Sequence, residues 1–80
     1  MSAGDDTVLK KRSFSIAGHR TSIALEPEFW KALEAQAREE RMTLVALVGR
    51  IDAARGERNL ASALRVYALM RALAVRPGRA

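Results

Sequence analysis

One short segment of alternating polarity, RTSIAL at residues 20–25, constrains the fold of this chain more than any other part of it. Successive side chains of a strand point to opposite faces. One face of this predicted strand carries Ile23 and Leu25, and the other carries Arg20, Ser22 and Ala24. A shift in register by one residue would bury the arginine and expose the isoleucine, so the pattern fixes which face meets solvent.

A single strand cannot satisfy its own backbone donors and acceptors, and no later segment reads as a partner strand. The preceding segment from Lys10 to Ile16 alternates only weakly before Ala17 and Gly18 interrupt it. It predicts either a short extension strand or an arm that becomes ordered on a partner. We therefore expect a mostly helical chain with one short β-strand, which pairs with a second copy in an intersubunit antiparallel two-stranded ribbon.

Three helical segments follow the strand. Pro27 suits the first turn of a helix that continues to about Arg41, and Thr43 is the N-cap candidate of the second helix. Gly56 ends that second helix, and Asn59 can cap a third helix that reaches about Val75. The second helix is apolar on nearly every side, which indicates burial on several sides.

A chain of 80 residues buries only a modest fraction of its surface, so a core shared with a second subunit would stabilise it. Gly49, in the middle of the second helix, costs on the order of 1 kcal/mol relative to alanine. Either the close approach of another helix across a dimer or a neutral chance glycine would explain it. We predict a dimer core built from the apolar residues Ile23, Leu25, Leu33, Leu44, Leu47, Val48 and Ile51.

The chain divides into four parts. Residues 1–9 predict a disordered tail, and residues 10–56 a core with a basic N-terminal arm. Residues 57–75 predict an additional C-terminal helix, and residues 76–80 a second tail. We detect no internal repeat.

The sign of the charge changes along the chain, whose net charge is +5. Residues 7–25 contain no acid, whereas the first helical segment is net acidic. A basic strand backed by an acidic helix indicates a polyanion on one side of the molecule. Arginines that only keep a small protein soluble are the alternative.

The inventory of reactive side chains argues against an enzyme. There is no cysteine, and the single histidine, His19, has no nearby partner to form a triad or a metal cluster. No glycine-rich phosphate loop, signal peptide or apolar run long enough to span a membrane is evident. We expect no cofactor and no metal, no membrane association, and a soluble cytoplasmic protein.

The polar face of the strand has the chemistry to read DNA. The Arg20 guanidinium can donate two hydrogen bonds to guanine, Ser22 can donate or accept at several base edges, and the small Ala24 permits close approach. The alternative is a strand face that only meets water. Cationic side chains and the first amides of the second helix can bind phosphates. These predicted phosphate contacts are Lys10, Lys11, Arg12, Thr43 and Leu44.

With a strand and two helices in this order, the chain resembles the ribbon-helix-helix family of DNA-binding proteins over about residues 20–54. RTSIALEPEFWKAL and TLVALVGRI carry most of this resemblance. GHRTS and NLASALR look further like a bacterial subgroup of small ribbon-helix-helix proteins. The resemblance implies that Arg20, Ser22 and Ala24 read bases in the major groove and that Thr43 begins a phosphate clamp. Ala24 departs from the family pattern because it has no hydrogen-bonding group.

These observations predict a homodimer that binds double-stranded DNA in a sequence-dependent manner, as a transcriptional repressor. The alternative is a protein-interaction module or an antitoxin-like protein, whose third helix captures a partner protein through its apolar face. We place that contact at Leu60, Leu64 and Tyr67.

Overall fold

The fold consists of a β-hairpin followed by three helices in a computed structural model that describes residues 8–74. The elements are β1 (Lys10–Ile16), β2 (His19–Leu25), α1 (Pro27–Glu39), α2 (Leu44–Ala54) and α3 (Leu60–Ala74). The three helices therefore form where the sequence predicts them, and α1 begins at Pro27. The predicted tail at 76–80 and the first seven residues of the tail at 1–9 lie outside the described residues.

The partner of β2 is β1 of the same chain, so the prediction of one strand per chain was wrong. The two strands pair antiparallel from Lys10 opposite Leu25 to Ile16 opposite His19. Ala17 and Gly18 join them with φ angles of 52° and 81°. Two central residues with positive φ are what a type I′ turn requires, and this turn matches the twist of a hairpin. The interruption between the segments is therefore the turn, and β2 has a partner strand in its own chain. The intersubunit ribbon remains a prediction.

The inner face of the hairpin packs on the helices. Phe14 and Ile16 of β1 and Ile23 and Leu25 of β2 are buried, and they share one apolar cluster with residues of all three helices. The side chains buried most completely in this cluster are Leu25, Leu33, Leu47, Val48 and Leu64. Because α3 contributes to the same cluster, residues 10–56 and the described part of the predicted additional helix, residues 57–74, share one core.

Six of the seven residues predicted for a dimer core are buried within a single chain. Leu44 is half-buried and packs against the cluster. The buried six are Ile23, Leu25, Leu33, Leu47, Val48 and Ile51. Burial of these side chains therefore does not need a second subunit, and their part in a dimer remains a prediction.

Gly49 has room for a side chain. A Cβ atom built there would lie 4.0 Å from Cγ2 of Ile16 in β1, which is ordinary van der Waals contact. The neighbour is a strand of the same chain, so no helix of this chain requires a glycine here. The approach of a helix from a second subunit remains a prediction beside the neutral alternative.

The helix caps follow the sequence closely. The Thr43 hydroxyl accepts a hydrogen bond of 3.0 Å from the amide of Ala46, and the side chain of Asn59 accepts one of 2.8 Å from Ser62. Both are N-cap interactions. Gly56, with a φ of 64°, follows the end of α2 in the left-handed conformation typical of a helix C-terminus.

Candidate nucleic-acid interface

The outward face of the hairpin carries all three residues predicted to read bases. Arg20 and Ser22 are exposed and Ala24 is half-exposed. The antiparallel register places a residue of β1 opposite each of them, namely Ser15, Ser13 and Lys11 respectively. These three β1 residues are also exposed, and sequence reasoning missed two of them. Their signal was the alternation of β1, which is as regular as that of β2 once the turn is recognised.

The centre of this face is held by a hydrogen bond between the two strands. The hydroxyl oxygens of Ser13 and Ser22 lie 2.9 Å apart at directly opposite positions. Each serine keeps further hydrogen-bonding capacity, because a hydroxyl has one donor and two acceptor sites. The pair therefore presents two small polar groups at the middle of the face.

Trp30 of α1 supports the hairpin from behind. Its side chain is 2% exposed, and its indole nitrogen donates a hydrogen bond of 2.8 Å to the backbone oxygen of Lys10. Its ring lies 5.9 Å from that of Phe14, centroid to centroid. These contacts place Trp30 in the core, and they fix the position of β1 on α1.

Arg12 points toward α1, away from the outward face. Its guanidinium lies 2.7 Å from the Glu34 carboxylate and 5.0 Å from the centroid of the Trp30 ring. Lys11 lies on the outward face and Lys10 is exposed at the open end of the hairpin. Of the three basic residues predicted to contact phosphate in the N-terminal arm, Arg12 thus has an acidic partner in its own chain.

The outward face is electrostatically positive. Lys11 and Arg20 project from it, and residues 7–25 contain no Asp or Glu. The acidic residues next to this segment in the sequence are Asp6, which lies outside the described residues, and Glu26, which pairs with Arg65 of α3. On α1, Glu34 is held by Arg12 at the rear of the hairpin. An anion approaching the outward face therefore meets two cations and several hydroxyl groups.

The start of α2 supplies a second group of donors. Thr43 is exposed, and its hydroxyl accepts a hydrogen bond from the amide of Ala46. The earlier amides of a helix have no acceptor within the helix, and they lie at the positive end of its dipole. Thr43 and Leu44 therefore have the geometry of an anion contact, although their predicted role with phosphate remains a prediction.

A polar network joins the three helices through Glu40. Glu40 accepts hydrogen bonds from Gln36 at 2.6 Å, Arg50 at 2.6 Å and Tyr67 at 2.9 Å. The Gln36 amide has the largest effect, and with Arg50 and Tyr67 it lowers the pKa of Glu40 to about 2. Burial, followed by the hydrogen bond to Glu40, raises the pKa of Tyr67. Glu40 is thus a structural residue.

A groove of about 400 Å³ lies between α2 and α3 beside this network, and Arg50, Arg55 and Arg58 line it. Arg50 is paired with Glu40 and Arg55 with Asp52, at 2.6 and 2.7 Å. No group of three or more His, Cys, Asp or Glu residues within residues 8–74 is arranged to hold a metal ion. No helix in the same range is long and apolar enough to cross a membrane.

Comparison with protein-family models identifies a ribbon-helix-helix domain over residues 9–72. The chain belongs to the ribbon-helix-helix family. The resemblance predicted from the sequence is therefore confirmed, and it extends over the hairpin and all three helices. Ribbon-helix-helix proteins are generally non-enzymatic regulators that dimerise and bind DNA.

Among solved structures, the chain is similar to an uncharacterized protein from Bordetella pertussis Tohama I. The two share 31% sequence identity with a TM-score of 0.73, and the match covers 98% of this chain and 70% of the other. A search of curated proteins finds no significant match. The fold of this ribbon-helix-helix protein, including α3, thus has a counterpart in a solved structure.

The three residues predicted to bind a partner protein lie on the face of α3 that packs on the core. Leu64 is fully buried, and Leu60 and Tyr67 pack against the core. Arg65 joins α3 to the start of α1 through a 3.0 Å contact with Glu26. Leu64 was therefore wrongly predicted to contact a partner, because it is buried in the core of its own chain. A partner contact of the half-buried Leu60 and Tyr67 remains a prediction.

Proposed function

We propose that this ribbon-helix-helix protein binds double-stranded DNA in a sequence-dependent manner and acts as a homodimeric transcriptional repressor in the bacterial cytoplasm. The observation that carries the proposal is the outward placement of Arg20 and Ser22 on an acid-free hairpin. A two-stranded ribbon fits the major groove of B-DNA, where each base pair presents its own pattern of donors and acceptors.

Three residues of β2 have distinct roles in this proposal. Arg20 donates two hydrogen bonds to O6 and N7 of a guanine, and Ser22 contacts a neighbouring base edge. Ala24 lets the strand approach closely and can contact a thymine methyl group. A good bidentate contact discriminates between bases by roughly 1–3 kcal/mol. Arg20 therefore contributes most of the base preference expected from β2.

Phosphate contacts fix the orientation of the ribbon on the duplex. Lys10, at the open end of the hairpin, and the amides at Thr43 and Leu44 are suited to this role. Each phosphate that a cation neutralises releases condensed counterions, so affinity falls with added salt. Arg12 is assigned no DNA contact because Glu34 holds it.

Fluorescence anisotropy with mixed-sequence duplex DNA at two salt concentrations tests DNA binding directly. We expect binding that weakens steeply with salt, and weaker binding by the Arg20→Ala variant. Lys31→Ala is the matched control, because Lys31 is an exposed cation on α1 outside the hairpin. Equal affinity of both variants and the original protein would remove the assignment of Arg20 to the interface.

The dimer in this proposal uses α3, because this helix exposes a row of apolar side chains. Val66, Leu69, Met70 and Leu73 are 37–60% exposed and follow a spacing of three and four residues. This spacing forms one stripe along a helix, and two such stripes can pack together across a two-fold axis. Arg65 and Arg71, the charged residues of α3, lie outside the stripe.

The second candidate function is capture of a different protein through the same stripe, as an antitoxin-like protein would do. The exposure of four neighbouring apolar side chains favours some macromolecular contact there, because such surfaces are commonly interaction sites. A protein that remains monomeric at micromolar concentration with the stripe intact would favour this function over the homodimer.

A further inference from the structure

The two strands of the hairpin carry related hexapeptides, a likeness that becomes visible once the strands are paired. Residues 11–16 read KRSFSI and residues 20–25 read RTSIAL. When the two hexapeptides are aligned, the cation Lys11 corresponds to the cation Arg20, and Ser13 corresponds to Ser22. Both hexapeptides then alternate a buried apolar residue with a small residue.

The register makes this repeat two-fold symmetric. Ser13 lies directly opposite Ser22. Rotation by half a turn about the midpoint of that pair exchanges the strands, because they run antiparallel. Two residues before each serine lies a cation, Lys11 on one strand and Arg20 on the other. The exchange therefore superimposes the two cations on each other.

We propose that Lys11 is a second base-reading residue, equivalent to Arg20, and that one chain reads a short inverted repeat through a complete pseudo-symmetric ribbon. This inference rests on the DNA-binding function proposed above. It goes beyond it because it adds β1 to the reading surface and assigns the ribbon to one chain. Lysine and arginine both recognise O6 and N7 of guanine.

The dimensions of the hairpin suit this role. Lys11 lies opposite Ala24, and Arg20 lies opposite Ser15, four residues further along β1. At about 3.4 Å per residue, the two cations are separated by roughly 14 Å along the ribbon. Base pairs in B-DNA repeat every 3.4 Å or so. The cations therefore span about four base-pair steps, on opposite strands of the ribbon.

The centre of the repeat consists of two hydrogen-bonded serines. The Ser13 and Ser22 hydroxyls, 2.9 Å apart, lie at the pseudo-two-fold axis. On the outward face, Ser15 and Ala24 break the symmetry, since only the serine carries a hydroxyl. We expect guanine preference at the two ends of the subsite and weaker selection at its middle.

Selection of preferred sites from random-sequence duplex DNA tests this inference. Four proteins are compared: the original chain, Lys11→Ala, Arg20→Ala and the surface control Lys31→Ala. In the subsite of each chain, the original protein should enrich two guanines in inverted orientation, about four base-pair steps apart. Each hairpin variant should relax discrimination at one of them by roughly fivefold to a hundredfold, with the other guanine retained. Lys11 and Arg20 are exposed, and circular dichroism verifies that both variants fold.

The outcomes separate the two proposals. If Arg20→Ala relaxes one guanine while Lys11→Ala behaves like Lys31→Ala, a single strand reads the DNA and the pseudo-symmetric ribbon is overturned while the DNA-binding function remains. If the original chain enriches no sequence and binds mixed duplexes no better than the variants, the proposed function fails and the inference fails with it. Enrichment of a single guanine by the original chain also overturns the inverted repeat.

Discussion

The indole nitrogen of Trp30 donates a 2.8 Å hydrogen bond to the backbone oxygen of Lys10, and this contact joins the first strand to the first helix. The same indole packs against Phe14 on the inner face of the strand. One residue of α1 thereby satisfies a backbone acceptor of β1 and covers its apolar side. The contact holds β1 on its own chain, which places the outward face of the hairpin in a fixed position relative to the helices.

Trp30→Phe should therefore destabilise the protein while it preserves the fold. Loss of the hydrogen bond to Lys10 leaves a carbonyl unpaired, which costs about 1–3 kcal/mol of unfolding free energy. Trp30→Ala adds a cavity and should cost about 3–5 kcal/mol. Urea unfolding followed by circular dichroism is the measurement, because Trp30 is the chain's one tryptophan and its fluorescence is lost in both variants. Equal stability of Trp30→Phe and the original protein would contradict this role.

Ala17→Asn should stabilise the hairpin. Ala17 has a φ of 52°, a conformation that costs an ordinary L-residue roughly 1–2 kcal/mol and that asparagine adopts more readily. Asparagine followed by Gly18 is also the preferred pair for a type I′ turn. We expect a gain of the order of 1 kcal/mol in unfolding free energy. Unchanged or lower stability would indicate that the turn does not close the hairpin in solution.

Most of the helical fold could be predicted from local signals, whereas the pairing of the strands could not. Pro27, Thr43 and Asn59 act at their own helix ends, so a short stretch of sequence is sufficient to identify each boundary. The hairpin depends on Ala17 in a left-handed conformation, which alanine rarely adopts. No local sequence pattern identifies that turn. β1 was therefore not predicted as the partner of β2, and the partner strand was sought in a second subunit.

The same distinction applies to the candidate site. The alternation in RTSIAL is sufficient to place Arg20 and Ser22 on the outward face, because it depends on one strand alone. The position of Lys11 beside them depends on register, which is a relationship between two strands. The role of Arg12 depends on Glu34, which lies on a different element and could not be paired with it from the sequence.

Gly49→Ala should stabilise the protein by about 0.5–1 kcal/mol. Alanine in the interior of a helix restricts the unfolded chain more than glycine does, and its helix propensity is higher. A Cβ atom at this position lies 4.0 Å from Ile16, so no steric cost opposes the gain. Thermal unfolding measures the effect. A decrease in the melting temperature would show that another helix approaches this position in the assembled protein.

Glu40 should make the stability of the helix network depend on pH. Because the folded-state pKa of about 2 lies below the ordinary value of 4.5, the ionised carboxylate stabilises the fold above pH 4.5. That contribution is lost as pH falls from about 4.5 to about 2. Glu40→Gln removes it at every pH. The melting temperatures of the two proteins should thus differ most at neutral pH and converge near pH 2.

Glu39→Gln is the matched control for that measurement, since Glu39 is the exposed neighbour at the end of α1. Its melting temperature should follow that of the original protein throughout the titration. A difference between the original protein and Glu40→Gln that stays constant down to the acid end of the titration would contradict the assignment of the network to an ionised Glu40.

The exposed stripe of α3 should control self-association without controlling the fold. Leu69 and Met70 are 53% and 57% exposed, so Leu69→Glu and Met70→Glu place a charge in the stripe while the core remains intact. A charge buried at a dimer interface without a partner is strongly unfavourable, so these variants should sediment as monomers with a near-normal melting temperature. Leu64→Glu is the contrasting variant, because Leu64 is fully buried and its replacement should unfold the chain. If Leu69→Glu and Met70→Glu remain dimeric, the two subunits meet through another surface, and the outer edge of the hairpin becomes the first place to test.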